Sequence, residues 1–198
     1  MTSIYIDMDD VLSESNQTFL QILEREFGKK VAYSQITTFD LQASFGLSDE
    51  EYAHFFECIH APDEMMLHAP VTGARETLKH WQENGYRICV LTGRPLDTRE
   101  VSLEWLALHE ITHDSFAIVN KYGREASKGE QSLSLEMLST CSFDLAVEDS
   151  GQMARFLSEQ MGVTVALLDR PWNRSMSFNS NVKRCADWTE IKKNFERL

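Results

Sequence analysis

The chain has 198 residues, enough for one well-buried core with an insertion and too few for two full domains. Its formal net charge of −12 works against partners held through many phosphates, so neither a nucleic-acid polymer nor an anionic membrane is expected; a small phosphorylated molecule met by local cations stays open. Cys58, Cys89, Cys141 and Cys185 form no C-x-x-C pair and no stretch approaches the roughly 18 apolar residues of a membrane span, which predicts a reduced, cytoplasmic protein.

In chain order, Ile4, Tyr5 and Ile6 predict a buried strand that ends abruptly in Asp7, Asp9 and Asp10. Ligands of an open α/β sheet bind in the crevice at such C-terminal strand ends. Carboxylates this close repel unless something positive sits among them, and Mg²⁺, a hard cation that prefers oxygen ligands, answers simply. A solvated acidic turn fits the same residues taken alone. Phe19, Ile22, Leu23 and Phe27 then fall at helical spacing, with Gly28 as the stop. Ser48 and Glu51 stand at capping-box spacing and open a helix whose face carries Tyr52, Phe55, Phe56 and Ile59. Residues 14–69 are therefore expected as a small helical cap inserted after the first strand, on a core made of 1–13 and 70–198.

Thr72 or Gly73 opens the next helix, with Ala74, Leu78 and Trp81 on one face and Asn84-Gly85 at its end. Tyr86 to Leu91 predict a buried strand that stops at Thr92-Gly93-Arg94-Pro95, where a hydroxyl and free N–H groups can meet a phosphate oxygen. Read alone, that run fits an ordinary turn equally well, and Arg94 either adds charge to a phosphate or pairs locally. Val101, Trp105 and Leu108 suggest a helix, and Phe116 to Val119 a short strand followed by Lys121 and Lys128. Phe143 to Val147 form another strand, ending in Glu148-Asp149, so that acids from two strand ends can converge on one cation. Gly151 to Gln160 read as a helix, Val163 to Leu168 as a strand, Leu168 to Arg174 as a strand end with a rigid turn, and Trp188, Ile191 and Phe195 as a closing helix. The alternation predicts an α/β fold with a doubly wound parallel sheet.

The run Asp7-Met8-Asp9-Asp10-Val11, followed in order by Thr92-Gly93, a lysine and Glu148-Asp149, resembles the motif set of the haloacid dehalogenase (HAD) superfamily. Pro70 to Glu76 and Leu168 to Arg174 resemble its 5′(3′)-deoxyribonucleotidase branch. The resemblance implies a HAD-like Rossmannoid core and a Mg²⁺-dependent phosphomonoesterase. Asp7 would be the nucleophile that becomes an aspartyl phosphate, and Asp9 the general acid and then base. Thr92, Gly93 and a lysine would hold phosphate oxygens, with Asp7, the Asp9 carbonyl, Glu148 and Asp149 around the metal. Lys128 is expected as that lysine because it leads into the apolar pattern Leu133, Leu135, Met137, Leu138; Lys121 is the alternative. Asp10 departs from the Gly or Thr common at its place and is expected to give local polar support.

The same branch implies a nucleoside monophosphate as substrate. Phe39, Phe45, Phe56 and Arg94 are the candidate contacts, since a nucleobase offers its π face to such rings. The rings fit the packed interior of the cap as well, and a homodimer interface is also open. Two rival readings remain: a phosphatase for another small phosphorylated metabolite, and a regulatory module that binds a phosphorylated ligand without turnover. The presence of both Asp7 and Asp9 counts against the second.

Overall fold

The computed structural model describes residues 2–121, 123 and 132–196. From β1 (Ser3–Ile6) the chain runs through α1 (Ser15–Phe27), α2 (Leu41–Phe45), α3 (Asp49–Ile59), α4 (Pro62–Met65) and α5 (Ala74–Glu83) to β2 (Arg87–Thr92). There follow α6 (Arg99–Leu108), β3 (Ser115–Ile118), α7 (Leu135–Ser139), β4 (Leu145–Glu148) and α8 (Gly151–Arg155), which continues as a π-type turn over Phe156–Gln160. The chain closes with β5 (Thr164–Leu168), β6 (Val182–Cys185) and α9 (Trp188–Asn194).

Among the described residues six strands form one sheet in the order β3-β2-β1-β4-β5-β6, every neighbouring pair parallel. The doubly wound sheet expected from the sequence is the fold. The path leaves β1 in one direction through β2 and β3, then resumes at β4 on the other side of β1. Connections diverge at that point, which opens a crevice at the C-terminal ends of β1 and β4.

A parallel sheet is covered on both faces, and strand residues alternate accordingly. Ile4, Ile6, Ile88, Val90, Leu145, Val147 and Leu168 face α5, α6 and α9, with Trp81, Trp105 and Trp188 buried among them. Tyr5, Cys89, Leu91, Ala146, Val165 and Leu167 face the other way, against Leu138 of α7 and Met153 and Ala154 of α8. Each large apolar side chain withdrawn from water in this way contributes roughly 1.5–3 kcal/mol.

Helices α1 to α3 bury a third cluster of their own. At its centre Phe55 meets Phe19, Phe27 and Phe45 edge-on, with centroids 6.2, 6.1 and 5.5 Å away. Helix α1 stops where Gly28 takes φ 64° and returns its N–H to the Glu24 carbonyl. Helix α3 opens with a reciprocal box: the Glu51 N–H donates to Ser48 Oγ at 3.2 Å, and the Ser48 N–H to the Glu51 carboxylate at 2.8 Å. Trp172, from the loop after β5, packs in the same cluster and so joins the helical layer to the sheet.

Several expectations shift. The Tyr86 N–H closes α5 on the Trp81 carbonyl, so β2 starts one residue later than expected. Strand β3 starts and ends one residue earlier than the expected Phe116 to Val119. Strand β4 begins at Leu145 instead of Phe143, because Asp144 turns its carboxylate to the Ser3 N–H. Leu108 is 61 % exposed, and Leu106 fills the buried position on α6 instead. Strand β6 was not expected at all; its Val-Lys-Arg-Cys sequence carries the charges typical of a sheet edge. No helix among the described residues is long and apolar enough to cross a membrane.

Candidate active site

Strand β1 delivers Asp7 to the crevice, and the Asp7 N–H still bonds to Val147 of β4 at 3.0 Å. Beyond it the chain turns sharply, with the N–H groups of Leu12 and Ser13 both donating to the Met8 carbonyl. The turn places Asp10 at φ 54°, a left-handed conformation that a short polar side chain tolerates better than most. Asn16 Nδ2 donates to the Asp10 carboxylate at 2.6 Å, and the Arg170 guanidinium donates to the Asp10 carbonyl at 2.7 and 3.1 Å.

Lys121 Nζ donates to Asp7 Oδ1 at 2.7 Å and to Glu148 Oε1 at 2.9 Å. The Tyr5 hydroxyl donates to the same Glu148 oxygen at 3.0 Å, while Glu148 Oε2 accepts the N–H groups of Asp149 and Ser150. Asp149 Oδ2 accepts the Trp172 indole N–H at 2.8 Å, and the Asp149 carbonyl accepts Asn173 Nδ2 at 2.8 Å. Carboxylate oxygens of Asp7, Glu148 and Asp149 lie within 4.8 Å of one another, all three residues buried. Burial pushes the Asp7 pKa up to about 7, with the Glu148 charge adding and Lys121 opposing. Burial also raises Asp149 well above the usual carboxylate range, with Glu148 and Asp7 adding. One ammonium does not balance three carboxylates. A set of converging hard oxygens fits a divalent cation, which supplies the missing charge.

Asp9 is held differently. Arg94 donates to it bidentately, Nε to Oδ2 at 2.9 Å and Nη2 to Oδ1 at 2.6 Å, and the Ser15 hydroxyl donates to Oδ1 as well. Burial alone raises the Asp9 pKa, but the charge and bonds of Arg94 overcome it and hold the carboxyl well below its usual range. Of the two roles open to Arg94, local pairing is the one observed; its Nη1 also donates to Ser102 Oγ. Beside it, His68 is pushed down to about 4, by burial first and then by the Arg94 charge.

Thr92 ends β2 fully buried, and its Oγ1 accepts the Arg94 N–H at 3.2 Å. Gly93 lines the cavity beside it. Lys128 lies outside the described residues; among the described residues the lysine beside Asp7 is Lys121. The cavity, about 110 Å³, is bordered by Asp7, Asp9, Arg94 and Asp149 from the sheet side. The helical layer contributes Phe39, Tyr52, Phe56 and His60, the last two with rings 4.2 Å apart. Phe45, expected as a contact, is absent from that lining: it is 4 % exposed and fills the interior against Phe55. Sequence reading also passed over Tyr5, Asn16, His68, Arg170, Trp172 and Asn173 as site residues. The one available signal was in the Leu168–Arg174 turn, where a Trp and an Asn, if buried, must each find a hydrogen-bond partner.

Residues 32–147 match the family described as PITM 1-3, LNS2 domain. The chain is 25 % identical over 187 residues to BH1399 of Halalkalibacterium halodurans, a protein with a provisional nucleotidase name, covering 94 % of this chain and 89 % of the relative. A HAD-superfamily hydrolase of subfamily IA from Geobacter sulfurreducens superposes with a TM-score of 0.61 at 16 % identity, over 98 % of this chain and 96 % of that one. A Clostridium acetobutylicum protein, provisionally described as a phosphatase, gives 0.67 at 12 % identity over 100 % and 99 %. These two superpositions speak for the fold. The match over residues 32–147 places the chain in the family of the PITM 1-3 LNS2 domain, and its parallel sheet, with acids gathered where the winding reverses, has the HAD-like fold of the hydrolases on which it superposes.

Proposed function

We propose that the protein is a Mg²⁺-dependent phosphomonoesterase that works through an aspartyl phosphate on Asp7 and hydrolyses nucleoside monophosphates. The observation that carries this is Asp7 itself: a buried carboxylate 2.7 Å from Lys121 Nζ, grouped with Glu148 and Asp149 and lining the cavity. Asp7, the Asp9 carbonyl and Asp149 would hold Mg²⁺, with Glu148, whose oxygens already accept from Lys121, Tyr5 and two backbone N–H groups, adding negative charge beside it; when bound, the cation offsets negative charge on the phosphoryl oxygens.

Asp7 attacks phosphorus as the ester P–O bond breaks, and Asp9 gives its proton to the departing alkoxide. Asp9 then takes a proton from water, which attacks the same phosphorus and frees Asp7 and inorganic phosphate. The Thr92 hydroxyl, the Gly93 N–H and the Lys121 ammonium hold the phosphoryl oxygens. For its acid step Asp9 has to leave Arg94 and take up a proton from solvent, and an incoming phosphoryl group, itself anionic, competes for that guanidinium. Before its base step the low pKa imposed by Arg94 keeps Asp9 ionised and able to accept the proton.

Residues 14–69 serve as the cap over a core of 1–13 and 70–198, and four unpaired cysteines support a reducing, cytoplasmic setting. The nucleotide assignment is supported by the Phe39, Tyr52 and Phe56 rings on the cavity wall and by the name of the Halalkalibacterium relative. Stacking of one base on such a ring contributes about 1–3 kcal/mol. The test is a panel of nucleotides and sugar phosphates assayed at fixed Mg²⁺. Nucleotide turnover that EDTA abolishes and added Mg²⁺ restores is expected. Turnover of other phosphates alone would favour a different metabolite, and binding without any turnover a regulatory module.

A further inference from the structure

We propose that Trp172 is a positioning residue that sets the Asp149 carboxylate for the cation. The inference rests on reading Asp7, Glu148 and Asp149 as a cation site. Trp172 is 5 % exposed, and its one polar atom, a donor only, is spent on Asp149 Oδ2 at 2.8 Å. That bond fixes the rotation of a carboxylate that could otherwise swing within the crevice.

The ring is itself held from two directions. On one side it meets Tyr33 edge-on, centroids 5.6 Å apart, within the apolar cluster of the helical layer. On the other, the turn Pro171–Asn173 that carries it is pinned to the sheet. Asn173 Nδ2 bonds to the Asp149 and Leu168 carbonyls at 2.8 Å each, and the Arg184 guanidinium of β6 donates to the Asn173 side chain and carbonyl. Asp149 is therefore oriented by a side chain that cannot move without disturbing both the layer above and the strand edge below. Hydrogen-bond partners of metal-binding carboxylates commonly set metal affinity by 10–100-fold.

The test is calorimetric titration of Mg²⁺ into the full chain, wild type and W172F. Phenylalanine keeps a ring against Tyr33 and removes the N–H, and a thermal melt verifies folding. About 10–100-fold weaker Mg²⁺ binding by W172F is expected. Equal affinity in a folded W172F overturns the proposal while leaving the cation site intact; a wild-type chain that binds no Mg²⁺ removes the cation reading and the proposal with it. Should W172F fail to fold, the wild type decides. With four tryptophans in the chain, one indole N–H resonance is expected to follow the calorimetric titration, and four unmoved resonances alongside measurable binding would overturn the assignment.

Discussion

Lys121 carries the charge balance between β1 and β4, since its ammonium is the one cation bonded to both Asp7 and Glu148 among the described residues. Replacing it with methionine keeps most of the volume and leaves two buried carboxylates facing each other. Loss of one partner from a buried ionic group costs about 3–5 kcal/mol. Urea unfolding of Lys121→Met should show a loss of that order, partly recovered in Mg²⁺; an unchanged midpoint would contradict the charge argument. His68 gives a second test at this scale. Its folded pKa of about 4 lies below the ordinary value of about 6.5, so the unfolded chain takes up the proton first as pH falls. Its contribution is complete above about 6.5 and is lost towards 4, about 3 kcal/mol in total. Asp7, raised to about 7, has the opposite sign: it protonates first in the folded state and adds stability as pH falls from 7 towards 4. The comparison of wild type with His68→Asn isolates the histidine. The variant should lose less stability between pH 6.5 and 4, and parallel melting curves would contradict the assignment.

Elements formed by local physics were readable from the chain. Ser48 and Glu51 are three residues apart, and their box needs nothing beyond the first turn of α3. Gly28 and the apolar spacing before it determine where α1 stops. Gly73 belongs to this class but adds a tertiary demand: it stands at φ 86° before α5, and a Cβ there would come within 3.1 Å of Trp188 Cβ. Gly73→Ala should cost about 1–3 kcal/mol, because strain in the left-handed region and crowding against α9 act together. Equal denaturation midpoints for the two proteins would show that the backbone relaxes there freely. Strand β6 escaped the reading because two adjacent charges and short length hide a strand whose reason to form is the neighbouring edge of β5. Leu108 misled for the same reason, since helical spacing names a face without saying what lies opposite it.

Across the whole molecule, the acids at two strand ends were legible because a parallel sheet directs such ends to one edge, and the order of the sheet places β1 beside β4. What spacing could not give is which distant side chains answer them. Arg94 reaches Asp9 across 85 positions and Lys121 reaches Asp7 across 114, separations at which spacing alone names no partner. If the converging carboxylates hold a cation as proposed, folding and cation binding are one equilibrium. Mg²⁺ at a hundred times its dissociation constant should add about 2.7 kcal/mol of stability, read as a rise in the thermal midpoint that a chelator reverses. A midpoint indifferent to Mg²⁺ would contradict the cation site. The central claim, that Asp7 itself takes up the phosphoryl group, is tested most directly by quenching a single turnover in acid, reducing with borohydride and sequencing the peptides by mass spectrometry. The account predicts homoserine in place of aspartate at position 7 and nowhere else; an unmodified Asp7 in an enzyme that has turned over, or homoserine at Asp9 instead, would contradict it.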